Sequence, residues 1–210
     1  MTSAAAKPKR RYAPRMPVEQ RREQLLDAAL TVLAREGYSH LTIEAIAQEA
    51  GVTRPVVYGA YGGLEPLLHA LLDRSQQQAL VSLMTLLAAR EPGVDIDVWL
   101  VEAAAGLIDL VQREPDVWRP ILGITQNAPA VVRERIGATR EYLRTLVAHQ
   151  LEVGLSTRGG PSLDAEVMSH IAVITAEHFG RLVLEDPERY DRDRLVAALS
   201  GLLEAIRPGS

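Results

Sequence analysis

The chain contains no cysteine. That excludes a disulfide framework, a thiol nucleophile and a cysteine-ligated zinc site. No apolar run approaches the roughly 18 residues that a membrane span requires. The basic start lacks the apolar centre of a secretory signal, so the expected location is cytoplasmic, with no membrane partner. Alternating β-branched runs are missing, which predicts no strand. No Gly-x-Ser-x-Gly, His-Glu-x-x-His or phosphate-loop pattern occurs, and Gly159-Gly160 lacks the following Lys-Ser/Thr and reads as a plain turn. No catalytic set is found, so the chain is not expected to be an enzyme or to carry a cofactor. His170 and His178 lie eight residues apart on a predicted helix, about 12 Å at 1.5 Å per residue, too far to share a metal. Glu166 and His170 are an i, i+4 pair, but two ligands are too few for a metal site.

What remains is ordinary for a globular chain: 47% hydrophobic and 24% charged over 210 residues, enough for one large domain or two small ones. The formal net charge of −4 hides an asymmetry. Residues 1–63 hold nine Lys/Arg against six Asp/Glu, net +3, and residues 64–210 hold fourteen against twenty-one, net −7. Lys7, Lys9, Arg10, Arg11, Arg15, Arg21 and Arg22 face a single acid, Glu19, in the first 22 residues. A basic start on an acidic body points either to a polyanion partner at one end or to a solubilising tail.

Residues 1–16, rich in Ala, Lys, Arg and Pro, read as a flexible arm. A first helix is predicted from about Pro17 to Glu36, with Leu25, Ala29, Val32 and Leu33 on one stripe and Gly37 as a left-handed stop. Thr42 is placed to cap a second helix, Ile43–Ala50, with Leu41 and Ile46 as a hydrophobic staple. Gly51 ends it. The device repeats: Thr53 caps a third helix, Val52 and Val57 stand at the staple positions, and Pro55 falls in the first turn where its missing N–H costs nothing.

Beyond Leu64 the predicted helices lengthen. Leu68, Leu72, Ala79, Leu83 and Leu87 line one up to Arg90, before a break at Glu91-Pro92-Gly93. Asp95 caps the next, which carries Val98, Val101, Ala104, Ile108 and Val111. A short irregular helix surrounds Pro120. Asn127 is the expected cap of a long helix with Val132, Ile136, Leu143, Val147 and Leu151. After a loop at Ser156–Ser162 come two more, about 163–185 and 192–206. The expected fold is all-α, with about nine helices.

The two short helices Ile43–Ala50 and Arg54–Gly59, joined by a three-residue turn, form a helix-turn-helix. Ala47 lets the second helix come close, Gly51 takes the turn's positive φ, and the first helix supplies a third wall. Such a unit lays its second helix in the DNA major groove. A packed helical hairpin in some other all-α protein is the bland alternative.

The run Leu26…Ala28-Ala29…Glu36-Gly37-Tyr38…Leu41-Thr42-Ile43-Glu44-Ala45-Ile46-Ala47-Gln48-Glu49-Ala50-Gly51-Val52-Thr53-Arg54-Pro55-Val56-Val57-Tyr58-Gly59-Ala60-Tyr61 resembles the DNA-binding domain of the tetracycline-repressor (TetR) family over roughly residues 18–68. The resemblance implies a homodimeric one-component regulator, in most cases a repressor. Its DNA-binding domain, here 17–63, binds a pseudopalindromic operator. Its helical domain, here 64–210, dimerises and holds a small effector that releases DNA. It further implies a recognition surface of Arg54, Pro55, Val56 and Gly59, with Glu44 at the groove edge. Thr42, Thr53, Tyr58 and Tyr61 would meet phosphates or support the residues that do, and Val57 would be core. Three positions depart from the family: Ala60, Tyr61 and Leu64 stand where His, Phe and Lys are common. His and Lys there help hold the DNA backbone, and the basic arm offers charge in their place.

Trp99, Trp118, Tyr142 and His149, with Met84 and Met168, either line a hydrophobic effector pocket or belong to an ordinary core. Gln126 and Asn127 either orient a polar ligand group or cap a helix. Ala172, Ala176 and Gly180, then Ala197, Gly201 and Ala205, place small residues at i, i+4 on the last two helices, flanked by Val167, Ile171, Ile174, Leu182, Leu195, Leu199 and Leu202. Intramolecular packing accounts for this as well as dimerisation does, and the resemblance selects a dimer through residues 163–206. A helix-turn-helix protein without an effector, or an all-α adaptor, is the alternative function.

Overall fold

The computed structural model describes residues 16–88, 95–123, 128–158 and 162–207, which form nine α-helices and no strand. In chain order they are α1 Val18–Glu36, α2 Ile43–Glu49, α3 Arg54–Tyr61, α4 Leu64–Ala88, α5 Ile96–Arg113, α6 Pro115–Leu122, α7 Ala130–Arg158, α8 Ala165–Glu185 and α9 Arg192–Ala205. No helix among the described residues is long and apolar enough to cross a membrane. The arm up to residue 15, the Leu87 side chain, the Glu91-Pro92-Gly93 break, Gln126 and Asn127, and the Gly159-Gly160-Pro161 turn lie outside the described residues.

The expected caps at Thr42 and Asp95 form. Thr42 Oγ1 accepts from the Ala45 N–H at 3.1 Å, and an Asp95 carboxylate oxygen accepts from the Asp97 N–H at 2.9 Å. Each satisfies one of the amide groups that a helix start leaves without an intrahelical partner. Gly37 has the expected positive φ of 76°, but its ψ of 178° is extended rather than left-handed helical. The chain therefore does not close a left-handed cap. It enters a 3-10 turn, Tyr38–His40, that periodicity does not predict.

A first core joins one face each of α1, α2 and α3 to Leu67, Leu68, Leu71 and Leu72 of α4 and to Val132 and Ile136 of α7. A second core gathers Leu107, Ile108, Leu110 and Val111 of α5, Trp118 and Leu122 of α6, Val183 of α8 and Leu195 of α9. Because Ala79 belongs to the second, α4 serves both. A small third cluster joins Ile96 and Trp99 to Leu151. Beside it, Arg158 Nε donates to Asp97 Oδ1 at 2.8 Å, with side chains 2% and 11% exposed.

Two stripes read from the sequence are corrected. On α5 the buried line runs through Ile96, Trp99, Ala104, Ile108 and Val111, while Val98 is exposed. Twelve of the eighteen residues of this helix are apolar, more than one face holds, so period alone leaves the rotation ambiguous. On α8 the small residues turn inward. Gly180 is buried, with Leu122 so near that a Cβ would come within 2.6 Å of its Cδ1, and Ala176 packs on the second core. On α9 the small residues face out, with nothing within 4 Å of a Cβ placed on Gly201. Of the flanking apolar residues, Val167, Ile171, Ile174 and Leu202 are exposed and Leu195 is buried.

Candidate nucleic-acid interface

Helices α2 and α3 meet through a short turn that is hydrogen-bonded back onto α2. The amides of Ala50, Gly51 and Val52 donate to the carbonyls of Ile46, Gln48 and Ala47 at 2.9, 3.1 and 2.9 Å. Gly51 has φ 64°, a value that strains any residue with a Cβ. Ile46 and Val57 are wholly buried, and Ala47 and Leu41 nearly so. Full burial of a side chain such as Val57 is worth about 1.5–3 kcal/mol, so it holds α3 firmly against its neighbours.

Burial of Val57 and Tyr61 fixes the rotation of α3. Arg54, Pro55, Tyr58 and Gly59 are then exposed together, with Val56 half-buried beside them. Thr42, Glu44 and Thr53 are exposed at the starts of the two helices. Arg54 and Glu44 form an ion pair, Nη1 to Oε1 at 2.5 Å. The expectation for Thr53 needs correction. It occupies the N-cap position of α3, but its side chain accepts no capping hydrogen bond. The residue is exposed at the start of α3.

Tyr61 lies on the supporting side. It is 7% exposed, its hydroxyl donates to the Arg22 carbonyl at 3.1 Å, and the Arg22 guanidinium sits 4.5 Å from its ring centre. Burial pushes its phenol up, partly offset by the nearby Arg22 guanidinium. Arg22 stood out in the sequence only as part of the basic start, and Gln24 did not stand out at all. Gln24 Nε2 donates to the Ala50 carbonyl at 3.0 Å while Arg21 Nη1 donates to Gln24 Oε1 at 2.6 Å. The relay satisfies the carbonyl of Ala50, the residue that follows α2, and ties this turn to α1. Gln24 has polar helical neighbours, Gln20, Arg21 and Asp27, so no sequence signal marks it.

The four effector candidates do not come together. Trp118 packs in the second core and Trp99 in the third cluster. Tyr142 is 53% exposed, and the His149 side chain is 73% exposed beside Glu152. Two clefts of about 510 and 240 Å³ lie against α1, and none of these four residues lines either. Residue type marks a side chain able to bind a ligand, but not the face of the helix it occupies. Trp118 keeps one feature of a binding residue: its indole Nε1 is buried with no hydrogen-bond partner among the described residues. Met84 and Met168 are half-buried. No group of three or more potential metal ligands exists among the described residues.

Residues 25–71 match the family described as bacterial regulatory proteins, tetR family. Over 58 residues the chain is 41% identical to the HTH-type transcriptional regulator SrpR of Pseudomonas putida, a stretch covering 28% of this chain and 27% of that protein. The match thus spans about a quarter of that relative's length. The whole fold is similar to a crystal structure of a TetR-like transcriptional regulator from Rhodococcus sp. RHA1, with TM-score 0.69 and 25% identity over 90% of this chain and 96% of that one. It is also similar to a TetR-family regulator from Agrobacterium tumefaciens, with TM-score 0.70 and 16% identity over 91% and 100%.

Proposed function

We propose, from the match of residues 25–71 to the tetR family of bacterial regulatory proteins, that the chain is a one-component transcriptional repressor that binds a pseudopalindromic operator as a homodimer. The observation that carries this reading is the rotation of α3. Val57 and Tyr61 are turned into the core, so Arg54, Pro55, Tyr58 and Gly59 form one exposed face at the start of a short helix. In helix-turn-helix proteins that end of the second helix enters the major groove. Thr42, Thr53 and Tyr58 carry exposed hydroxyls beside it, suited to phosphate oxygens. Arg54 is the charged donor of this face, and arginine pairs bidentately with guanine.

The proposed units are residues 17–63 for reading DNA and 64–210 for dimerisation and effector response, although the first core crosses between them, and the basic arm of residues 1–16 is proposed to supply positive charge toward the phosphates. Val167, Ile171 and Ile174 recur at i, i+4, i+7 on α8 and are each more than half exposed, with Leu202 and Ile206 exposed on α9. This surplus apolar face supports pairing through residues 163–206. Release by a small hydrophobic effector completes the reading. It is supported by the orphaned Trp118 N–H inside the larger domain, since a buried donor without a partner costs about 1–3 kcal/mol that a ligand acceptor would recover.

The test is selection of bound DNA from a random pool by the full chain, followed by titration with hydrophobic small molecules under Trp fluorescence. An enriched palindrome is the expected result. No enrichment would favour the adaptor alternative. Enrichment that no small molecule relieves would favour a regulator without an effector.

A further inference from the structure

We propose that Glu44 and Arg54 read one G·C base pair as a unit, Arg54 taking the guanine and Glu44 the amino group of its cytosine. This rests on the reading of α3 as the groove-entering helix. Arg54 lies in the first turn of α3 and Glu44 in the first turn of α2. A carboxylate suits the positive end of a helix and a guanidinium does not. Arg54 is therefore electrostatically misplaced for its own helix. Glu44 lies against it at 2.5 Å, and neither side chain makes another ion pair or side-chain hydrogen bond among the described residues.

The pair is not there for stability. Its members are 63% and 57% exposed, and an ion pair so solvated is worth little. Its chemistry, however, is matched to a base edge. A guanidinium has five N–H donors and a carboxylate two acceptor oxygens, so one contact between them leaves donors on Arg54 and an acceptor on Glu44 side by side. The major-groove edge of G·C presents two acceptors, guanine N7 and O6, followed by a donor, the cytosine amino group. That sequence is the complement of Arg54 followed by Glu44. At A·T the guanidinium would meet the adenine amino donor and the carboxylate the thymine O4 acceptor, both repulsive. Glu44 thus acts as a specificity-determining residue. It aims Arg54 and repels base pairs that place an acceptor where cytosine places its amino group.

The experiment begins with the DNA that the full chain enriches from a random pool; failure to enrich any sequence would sink the regulator reading itself. With a sequence in hand, Arg54→Ala identifies the base pair whose preference Arg54 sets. Its cytosine is then replaced by 2-pyrimidinone, which lacks the amino group. The native chain should lose roughly 5- to 150-fold in affinity, and Glu44→Ala, with unchanged helicity, should lose nothing further on the altered DNA. Glu44→Ala should also relax preference at the same base pair as Arg54→Ala. Native binding indifferent to the missing amino group overturns the proposal, and this arm needs no variant. Relaxation at a different base pair, or an even loss over all sequences with Arg54→Ala, overturns it too.

Discussion

The Tyr38 hydroxyl donates to the backbone oxygen of Pro120 at 2.6 Å, buried, across 82 residues of chain. Tyr38 belongs to the 3-10 turn between α1 and α2, and Pro120 lies in the last turn of α6. Helix ends leave carbonyls without intrahelical partners, and this one is satisfied by the turn between α1 and α2. The bond joins the first core to the element that carries Trp118.

Tyr38→Phe should cost about 1–3 kcal/mol, because the Pro120 carbonyl would stay buried without its donor. The loss is readable by urea unfolding at neutral pH. An unchanged midpoint would mean that water replaces the hydroxyl.

The same residue predicts a pH dependence. Burial pushes the Tyr38 phenol well above its ordinary value. The folded state therefore holds the neutral form while an unfolded tyrosine ionises at about pH 10. A raised folded-state value makes this stabilisation complete below about pH 10 and lost progressively as pH rises through the folded value. Unfolding curves from pH 8 to 11 should fall less steeply for Tyr38→Phe than for the native chain.

Arg158→Ala should destabilise by about 3–5 kcal/mol, since it strands the Asp97 carboxylate in a site that is 11% exposed. Arg207 Nε, 3.6 Å from Asp97 Oδ2, is too far for a good hydrogen bond and relieves only part of this. Removing both partners, Asp97→Ala with Arg158→Ala, should cost less than the sum of the single changes. Strict additivity in denaturant unfolding would show that the pair does not act as one.

Gly154→Ala should be destabilising although alanine is the better helix former. The propensity gain is about 1 kcal/mol. A Cβ at Gly154, however, would lie 2.6 Å from the Ile96 Cβ, an atom fixed to the backbone of α5. Moving two helices apart costs about 1–3 kcal/mol, so thermal unfolding should shift down. A rise in midpoint would show that α5 and α7 pack less closely.

Sedimentation tests the proposed pairing face. Ile171→Glu places a charge in the exposed stripe of α8, and Gly201→Leu fills open space on α9 without a clash in the single chain. Each should leave helicity unchanged and shift the chain toward monomer at micromolar concentration. A full-strength dimer from both would locate the contact elsewhere.

The sequence by itself determined the helices, their order and the helix-turn-helix, because those signals are local. The Thr42 hydroxyl reaches an amide three residues away, Gly51 answers a single φ, and Leu41, Ile46 and Val57 are apolar where two adjacent short helices must touch. Exposure of Arg54 followed from the same short-range geometry. Tertiary structure alone decided what depends on rotation and on distant partners. Helix α5, with twelve apolar residues among eighteen, buries Trp99 and exposes Val98 only because of the helices around it. The inward turn of Gly180 and the outward turn of Gly201 depend on whether Leu122 or solvent lies opposite, and the spacing is identical in both helices. Tyr142 and His149 have the chemistry of ligand-binding residues but sit on the solvent side of α7. The Gln24–Ala50 and Tyr38–Pro120 bonds span 26 and 82 residues. No periodicity encodes them, because each exists only after separate helices have packed and brought a donor to a carbonyl that would otherwise be left unpaired.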